Sequence, residues 1–213
     1  MSSLTSLSAV RQALDAERRE RILEAAERAF AAHGFHAATM QHVAEAAGMS
    51  AGNLYRTFPS KEAIVEGLCA RDQQERAARF AKAAKVESVM AAFAVGLGEH
   101  ITQQPRAKAR LLVEIWSEAA RNSVIAAMSR DVDAEIRKQI EAMIDIAKGR
   151  GEAHPSVDSA FVARFVFTYV GGLLKRFALE PEFDPEAEAA QAFSLIKSLC
   201  EGGLTPAAGE SVP

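Results

Sequence analysis

Residues 39–61, TMQHVAEAAGMSAGNLYRTFPSK, are the sequence feature that most constrains the fold of this chain. Four apolar residues have the i, i+3, i+4, i+7 spacing of one buried helical face: Met40, Val43, Ala44 and Ala47. Thr39 precedes this face as an expected N-cap, and Gly48 follows it as the expected left-handed residue at the helix C-terminus. The pattern therefore predicts a short helix that ends in a tight turn.

A second short helix is predicted directly after the turn. Ser50 is its expected N-cap, and Leu54 and Phe58 form its inward i, i+4 pair. Two short helices joined by a turn of about three or four residues are typical of a helix-turn-helix. Gly52 lies near the start of the second helix, where a glycine costs roughly 1 kcal/mol relative to Ala. Because helix stability does not favour Gly52, close approach to another backbone is one reason for it.

Polar side chains are left on the outer faces of both helices, where the core of the chain cannot use them. The hydrogen-bonding heads of Gln41, Asn53 and Arg56 suit base edges, with Asn and Gln matching adenine and Arg matching guanine. Thr39 and Lys61 stand at predicted helix N-termini, where backbone N–H groups hold phosphates. The full set of expected DNA contacts is Thr39, Gln41, His42, Ser50, Ala51, Gly52, Asn53, Tyr55, Arg56 and Lys61.

The run from Gly48 to Glu62 carries a specific resemblance. It reads GMSAGNLYRTFPSKE and is similar to Gly-Val-Ser-x-Gly-x-Leu-Tyr-x-x-Phe-x-Ser-Lys-Glu, a pattern typical of the tetracycline-repressor (TetR) family of bacterial transcription regulators. The motif similarity covers residues 17–70, and beyond it only the helical character and the total length resemble the family. The chain departs from the pattern at Thr57, where many members carry a larger aromatic residue or His, so a contact there is in doubt.

The resemblance also implies roles for individual positions. Thr39, Tyr55 and Lys61 match the family's usual contacts to the DNA backbone. Gln41, Ala51 and Gly52 match positions that often lie near bases. The function implied is a ligand-responsive, sequence-specific DNA-binding transcriptional regulator. As a repressor, it would bind a palindromic operator as a homodimer and be released by a small apolar or amphipathic effector.

Composition is consistent with this function class and narrows the fold. The 213 residues are 49% hydrophobic, enough to bury a substantial core. Ala, Glu, Arg, Leu and Lys are abundant, which favours helix nearly everywhere and predicts an all-α fold. A net charge of −3 argues against a protein that coats nucleic acid by bulk charge, although it leaves room for a locally positive surface.

Other classes of protein are disfavoured by specific features. Cys69 and Cys200 lie in helical patterns without a CxxC partner, so neither a disulfide framework nor a zinc site is predicted. No metal or other cofactor is expected. The N-terminus has no secretory signal pattern. The longest apolar stretch, residues 160–174, contains Arg164 and is too short to span a bilayer. We therefore expect a cytoplasmic protein without a membrane partner.

Four regions are expected along the chain. They are a flexible N-terminal arm (residues 1–15), a three-helix DNA-binding head (16–62), a helical ligand-sensing and dimerisation body (63–201) and a disordered tail (202–213). Ser60 is the expected cap of a helix that continues to about residue 84. This helix leads from the head to the body, so we expect it to act as a lever between them.

Two functional surfaces are expected in the body. Residues 160–174 are apolar on more than one face, so more than one side of this helix must be covered. Together with the last helix they predict a dimer interface formed by Phe161, Phe165, Gly171, Gly172, Phe193 and Ile196. Polar or bulky residues within apolar helices are candidates for an effector pocket: His100, Glu114, Trp116, Arg164 and Tyr169. Glu114 and Arg164 alternatively form a buried ion pair, and Trp116 is alternatively a core residue.

The main alternative is an all-helical small-molecule-binding protein or enzyme in which the helix-turn-helix is only structural. Catalysis needs a nucleophile or paired acid and base groups in one cleft. The sequence shows neither a Ser/His/Asp order nor a glycine-rich phosphate loop nor a metal constellation, so an enzyme is not expected. The pattern does not distinguish repression from activation, and it does not identify the effector.

Overall fold

The computed structural model describes residues 2–202, and it describes side chains from residue 8 onwards. Within these residues all regular secondary structure is helical, which confirms the predicted all-α class. The helices are α1 (Ser2–His33), α2 (Met40–Ala46), α3 (Ala51–Thr57), α4 (Lys61–Ala83), α5 (Val89–Thr102), α6 (Arg106–Ala119), α7 (Ser123–Gly149), α8 (Ser159–Leu179) and α9 (Pro185–Cys200).

Helix starts follow the capping rules closely. Asp184 precedes α9, and its side chain accepts hydrogen bonds from the N–H groups of Glu186 and Ala187, both at 3.1 Å. Pro185 occupies the first helical position, where its missing N–H leaves no bond unmade. α9 therefore begins with a side-chain cap followed by a proline, the arrangement that favours a helix start.

The N-terminus differs from expectation. α1 begins at Ser2 rather than near residue 16, so the arm expected to be flexible is helical. Side chains from residue 8 to residue 21 are exposed on every face of the helix. The apolar periodicity used to place the helix start reports burial, and a fully exposed helical segment has none. The expected disordered tail lies outside the described residues except for Gly202.

The described part of the chain divides into two compact units, and neither is continuous in sequence. The first unit contains the chain up to Asp72 together with Arg110–Met128, and the second contains Gln73–Ala109 and the chain from Ser129 onwards. The compact units thus divide within α4 at residues 72 and 73, ten residues after the expected boundary at residues 62 and 63. Residues 110–128, the end of α6 and the start of α7, belong to the first unit because their apolar side chains are buried in that unit's core.

The core of the first unit is formed by the helices α1, α2, α3 and α4 together with residues 110–128. Phe30, Leu54 and Phe58 are almost completely buried at its centre. Apolar side chains of residues 110–128 are buried in the same cluster: Leu111, Ile115 and Ile125. The fully buried Val43 and the inward pair on α3 match the predicted inner faces of the helix-turn-helix.

In the second unit, α9 packs against α5 and α8. α8 buries one face within the chain through Val162, Val166 and Leu173. A second apolar strip of α8 stays half-buried, as expected for a helix that is apolar on more than one face: Phe161, Phe165, Phe167, Tyr169 and Val170. Nothing in the described part of the chain covers this strip fully, so it is available to another molecule.

Candidate nucleic-acid interface

The start of α2 is closed by a reciprocal pair of hydrogen bonds. Thr39 Oγ1 accepts the N–H of His42 at 3.2 Å, and His42 Nδ1 accepts the N–H of Thr39 at 3.3 Å. This capping box satisfies two backbone donors that a helix N-terminus otherwise leaves unpaired. The His42 ring also stacks on that of His33, with ring centroids 4.1 Å apart. His42 therefore has a structural role at the position where a DNA contact is predicted.

A tight turn joins α2 to α3, as the sequence predicts. Gly48 has φ +64°, the left-handed conformation that favours glycine. Its neighbour Met49 donates its N–H to the carbonyl of Ala44 at 3.0 Å, which closes the C-terminus of α2. Ser50 Oγ then accepts the N–H of Asn53 at 3.4 Å and caps α3. Backbone geometry thus fixes the angle between the two helices.

α3 presents an outer face made of small and polar residues. Leu54 is fully buried, whereas its neighbour Tyr55 is 51% exposed. Gly52 is exposed, and a Cβ at this position would meet no atom within 4 Å. Asn53 Oδ1 accepts a hydrogen bond from Arg56 Nη2 at 3.1 Å on the same face. Half-buried Ala51 lies at the start of the helix, so the first turn is accessible to another molecule.

The outer face of α2 is polar as well. Gln41 is exposed and donates from Nε2 to Glu45 Oε1 at 2.9 Å. A hydrogen bond from Arg28 Nη2 to the carbonyl of Ala46, 3.0 Å long, holds the far end of the helix. The bond joins residues 18 positions apart, so helical spacing could not reveal it.

Lys61 makes contacts that the motif does not indicate. Its Nζ donates to the carbonyl of Phe35 at 2.8 Å and to that of His36 at 3.1 Å. The ammonium also lies 4.7 Å from the centre of the Phe35 ring. An ammonium has three donors, so one remains for a phosphate. The predicted phosphate contact stays a prediction, and Lys61 additionally holds the segment between α1 and α2.

The residues expected to line an effector pocket are divided between the two compact units. Glu114 and Trp116 belong to the first unit, whereas His100, Arg164 and Tyr169 belong to the second. Glu114 and Arg164 are both exposed, so the idea of a buried ion pair between them is wrong. Trp116 is 38% exposed and is not a core residue. His100 and Tyr169 are half-buried and remain candidates within the second unit.

A small apolar cavity of about 10 Å³ lies in the second unit, with room for roughly one water-sized sphere. None of the five expected pocket residues lines it. Its walls are formed by Val89, Met90, Phe93, Met143, Ile144, Ile196 and Cys200. Burial, with a contribution from the charge of Glu201, raises the pKa of the Cys200 thiol to about 11. The wall is therefore uncharged.

The expected dimer residues are mostly accessible. Phe161, Phe165 and Phe193 are half-buried, and the Phe165 ring stacks on that of Tyr169 with a centroid distance of 5.9 Å. A Cβ at Gly171 or Gly172 would meet no atom within 4 Å. Ile196 is the exception, since it is only 1% exposed. Its side chain is buried in the chain's own core, so it was wrongly assigned to an interface.

Between residues 2 and 202, no group of three or more His, Cys, Asp or Glu side chains has an arrangement that could hold a metal ion. No helix in the same part of the chain combines the length and apolar character needed to cross a membrane.

Comparison with known proteins gives a consistent result for both parts of the chain. Residues 22–68 match the family model for bacterial regulatory proteins of the tetR family, and residues 100–201 match the model for the C-terminal part of BetI-type transcriptional repressors. The HTH-type transcriptional regulator UidR of Escherichia coli K12 is 29% identical over 195 residues, which covers 88% of this chain and 93% of UidR.

Solved structures share the fold. Salmonella enterica GusR superposes with a TM-score of 0.74 at 28% identity, covering 87% of this chain and 96% of GusR. FadR from Bacillus subtilis, solved in complex with stearoyl-CoA, has a TM-score of 0.74 at 17% identity and covers 84% of this chain and 97% of FadR. The second likeness concerns the fold alone.

Proposed function

This chain belongs to the TetR family of bacterial transcriptional regulators, and on that premise we propose that it binds a near-palindromic operator as a homodimer. The outer faces of α2 and α3 would contact the DNA. The chain is a ligand-responsive DNA-binding regulator of transcription, and we infer that it acts as a repressor released by a small apolar or amphipathic effector. Such a regulator works where the chromosome lies, which is the cytoplasm in bacteria.

The construction of α3 is the observation that supports this proposal most strongly. Two caps and a buried Leu54 hold the helix, so its outer residues add nothing to the core. That outer face combines an accessible Gly52 with the polar heads of Asn53, Tyr55 and Arg56. A helix of this kind enters the major groove of B-DNA with its N-terminal residues against base edges.

The symmetry of the proposed homodimer determines the spacing and the palindromic sequence that we expect of the operator. With the half-buried strip of α8 between protomers, each α3 would enter the groove about one helical turn, roughly 34–36 Å, from the other. The two half-sites then repeat the same sequence on opposite strands. We propose that Thr39, Tyr55 and Lys61 contact phosphates, whereas Gln41, Asn53 and Arg56 contact bases.

Selection of bound sequences from random DNA by the purified protein tests the proposal. We expect an enriched palindrome whose binding is weakened by Tyr55→Ala and Arg56→Ala. Arg130→Ala is the matched control, since Arg130 is an exposed arginine of α7. The Tyr55 variant should keep the wild-type melting temperature because half of this side chain is exposed. A library without an enriched sequence would favour the rival in which the helix-turn-helix is only structural.

Salt dependence separates phosphate contacts from base contacts. The logarithm of the operator affinity falls linearly with the logarithm of the salt concentration, and loss of one phosphate contact reduces this slope by about one. We expect that change for Lys61→Ala. The Asn53→Ala variant should keep the slope and instead relax the base preference at one position of each half-site.

The effector is proposed to bind in the second unit, where His100 and Tyr169 are half-buried among apolar helices. A ligand shifts the equilibrium only if it prefers one conformation of the regulator. Thermal-shift screening of apolar and amphipathic compounds, followed by operator release measured by fluorescence anisotropy, tests this step. A panel whose binders all leave operator affinity unchanged would contradict release by an effector of this class.

A further inference from the structure

We propose that Glu114 of α6 is a positioning residue for the DNA-reading helices, acting through the backbone between α1 and α2. This inference rests on the proposed function, because it assigns a role in setting operator affinity. It differs from the sequence-based expectation, in which Glu114 lined an effector pocket. The argument depends on contacts within the first unit and on the course of α6 along the chain.

The contact itself joins α6 to the segment before α2. The Glu114 carboxylate accepts a hydrogen bond from the backbone N–H of Phe35, 79 residues away in the chain. The preceding Gly34 has φ +73°, and a Cβ at Gly34 would lie 3.4 Å from Glu114 Oε2. This distance is an ordinary van der Waals contact, so the left-handed φ rather than a lack of space favours glycine at this position. The remainder of Glu114 is exposed, so its charge stays solvated.

α4 also holds this segment, through its first residue, Lys61. Lys61 donates to the carbonyls of Phe35 and His36, as described above. Phe35 itself is 3% exposed, and its ring packs edge-on against Phe30 with centroids 5.1 Å apart. Phe35 therefore has its backbone N–H bound by Glu114 of α6 and its backbone carbonyl bound by Lys61 of α4. A change at either anchor must alter the path of the backbone at Phe35.

That backbone leads directly into the DNA-binding motif. Only three residues separate Phe35 from Thr39, which caps α2. The last of them, Ala38, is 2% exposed and leaves little freedom between the two points. Thr39 is also a predicted phosphate contact. A displacement of Phe35 is therefore passed to the start of α2 rather than absorbed by a long loop.

Further contacts show that Glu114 is part of a built arrangement. One turn along α6, Glu118 Oε2 lies 3.6 Å from His36 Nδ1. At the start of α7, Asn122 Nδ2 donates to Glu62 Oε1 at 3.1 Å. Hydrogen bonds from the backbone N–H of Glu62 and from the Ser60 hydroxyl, the largest causes, lower the pKa of the Glu62 carboxyl. Glu62 is thus a charged acceptor for Asn122.

The course of α6 gives this contact a regulatory meaning. Residues up to Ala109 belong to the second unit, whereas the helix from Arg110 onwards belongs to the first. An event that shifts or rotates α6 is delivered to Phe35 through Glu114. The lever expected from the sequence was α4 alone. The structure assigns a second connection to α6, with a single carboxylate at its contact point.

Three variants separate the hydrogen bond from the charge and from general stability. Glu114→Gln keeps a carbonyl oxygen that can accept the Phe35 N–H, whereas Glu114→Ala removes the acceptor. Glu66→Gln is the control, because Glu66 is an exposed carboxylate of the first unit on α4. Melting temperatures show whether each variant is folded. Operator affinity is measured by fluorescence anisotropy on the sequence that the wild-type protein selects.

We expect Glu114→Ala to weaken operator binding about tenfold, the effect of losing one charge-assisted hydrogen bond. Glu114→Gln should stay within about threefold of the wild type, since a neutral acceptor keeps most of such a bond. Glu66→Gln should do the same, because it changes an exposed side chain. Hydrogen exchange supplies a readout that a merely structural role would not change. Because coupling is reciprocal, operator binding should slow exchange in residues 110–119 of the wild type and not in Glu114→Ala.

The outcomes distinguish this inference from the proposed function. Wild-type operator affinity and wild-type exchange changes in Glu114→Ala would overturn the coupling role, and so would a Gln variant as defective as the Ala variant. In the free protein, Glu114→Ala should speed exchange of the segment containing Phe35, and unchanged exchange there would overturn the contact without any use of DNA. If the wild type selects no sequence at all, the proposed function fails.

Discussion

At the scale of single residues, one side chain of the helix-turn-helix motif combines a predicted DNA contact with an observed structural role. The motif assigns Lys61 to DNA phosphates, and the structure adds hydrogen bonds to two carbonyls of the segment before α2. The motif resemblance could suggest the first role because it compares positions. It could not suggest the second, because Lys61 lies 26 positions after Phe35 and only tertiary structure brings them together.

Lys61→Ala is therefore expected to lower stability as well as operator affinity. Two carbonyl acceptors lose a charged donor, so the free energy of unfolding should fall by about 1–2 kcal/mol. Urea denaturation of the DNA-free protein measures this change. Lys138→Ala is the matched control, because Lys138 is exposed on α7. A Lys61→Ala variant as stable as the wild type would mean that this lysine serves only the DNA.

At the scale of helices, end signals were more informative than periodicity. Caps placed the starts of α2 and α3 correctly because a cap is a local hydrogen bond between neighbouring residues. The start of α1 was missed because residues 2–15 contain neither Gly nor Pro, and the side chains of residues 8–15 show no buried face. Good helix formers continue a helix without any packing, and nothing in the pattern then shows where it begins.

Gly67 shows how closely α4 approaches its neighbours. A Cβ at this position would lie 2.9 Å from Leu23 Cδ2 and 2.9 Å from Phe58 Cε1, both buried. Gly67→Ala should therefore destabilise the protein by about 1–3 kcal/mol, although Ala is the better helix former. Gly98→Ala in α5 is the control, since its Cβ would meet nothing within 4 Å and should stabilise by about 0.5–1 kcal/mol. Chemical denaturation gives both values, and equal effects would contradict the close packing.

The start of α5 depends on a carboxylate from the loop after α7. Glu152 accepts hydrogen bonds from the N–H groups of Val89 and Met90, both at 3.0 Å, and from the Ser88 hydroxyl at 2.7 Å. Burial raises the pKa of Glu152, but these bonds and the charge of Arg150 outweigh burial and lower it below 4.5. Its folded-state pKa is thus depressed relative to the unfolded chain.

This depression predicts a pH-dependent contribution to stability. A carboxylate with a depressed pKa stabilises the fold above the unfolded value of 4.5, and the contribution disappears as the pH falls through the lower, folded value. Glu152→Gln should cost about 0.5–1 kcal/mol at pH 7, with the difference from the wild type shrinking below pH 4.5. Unfolding free energies at several pH values test this, with exposed Glu99→Gln as the control. A pH-independent difference would exclude an electrostatic origin.

At the scale of the whole molecule, the sequence could not predict that each compact unit is built from two separate stretches of the chain. Residues 110–128 have the apolar periodicity of ordinary amphipathic helices. Only their packing shows that these apolar side chains belong to the first unit. The head itself was predictable, because its motif is local and specific. The effector site was not, because polar residues within apolar helices occur in both units and share no spacing.

The expected dimer gives the last prediction. Gly172 is exposed, and a Cβ there would meet no atom of its own chain. Gly172→Leu should therefore leave the isolated chain stable, while the added side chain would hinder a partner helix that approaches α8 closely. Phe165→Arg should have the same effect by placing a charge in the interface. For each, we expect the dimer dissociation constant to rise by roughly thirtyfold or more, the equivalent of about 2 kcal/mol.

Sedimentation velocity over a range of concentrations measures this change, and Val95→Arg is the control because Val95 is a 61% exposed residue of α5. Loss of the dimer should also reduce affinity for a complete palindrome far more than for a single half-site, since the second α3 then binds independently. A Gly172→Leu protein that remains fully dimeric would show that this part of α8 lies outside the interface. A wild-type protein that is monomeric at all concentrations would remove the basis for a palindromic operator altogether.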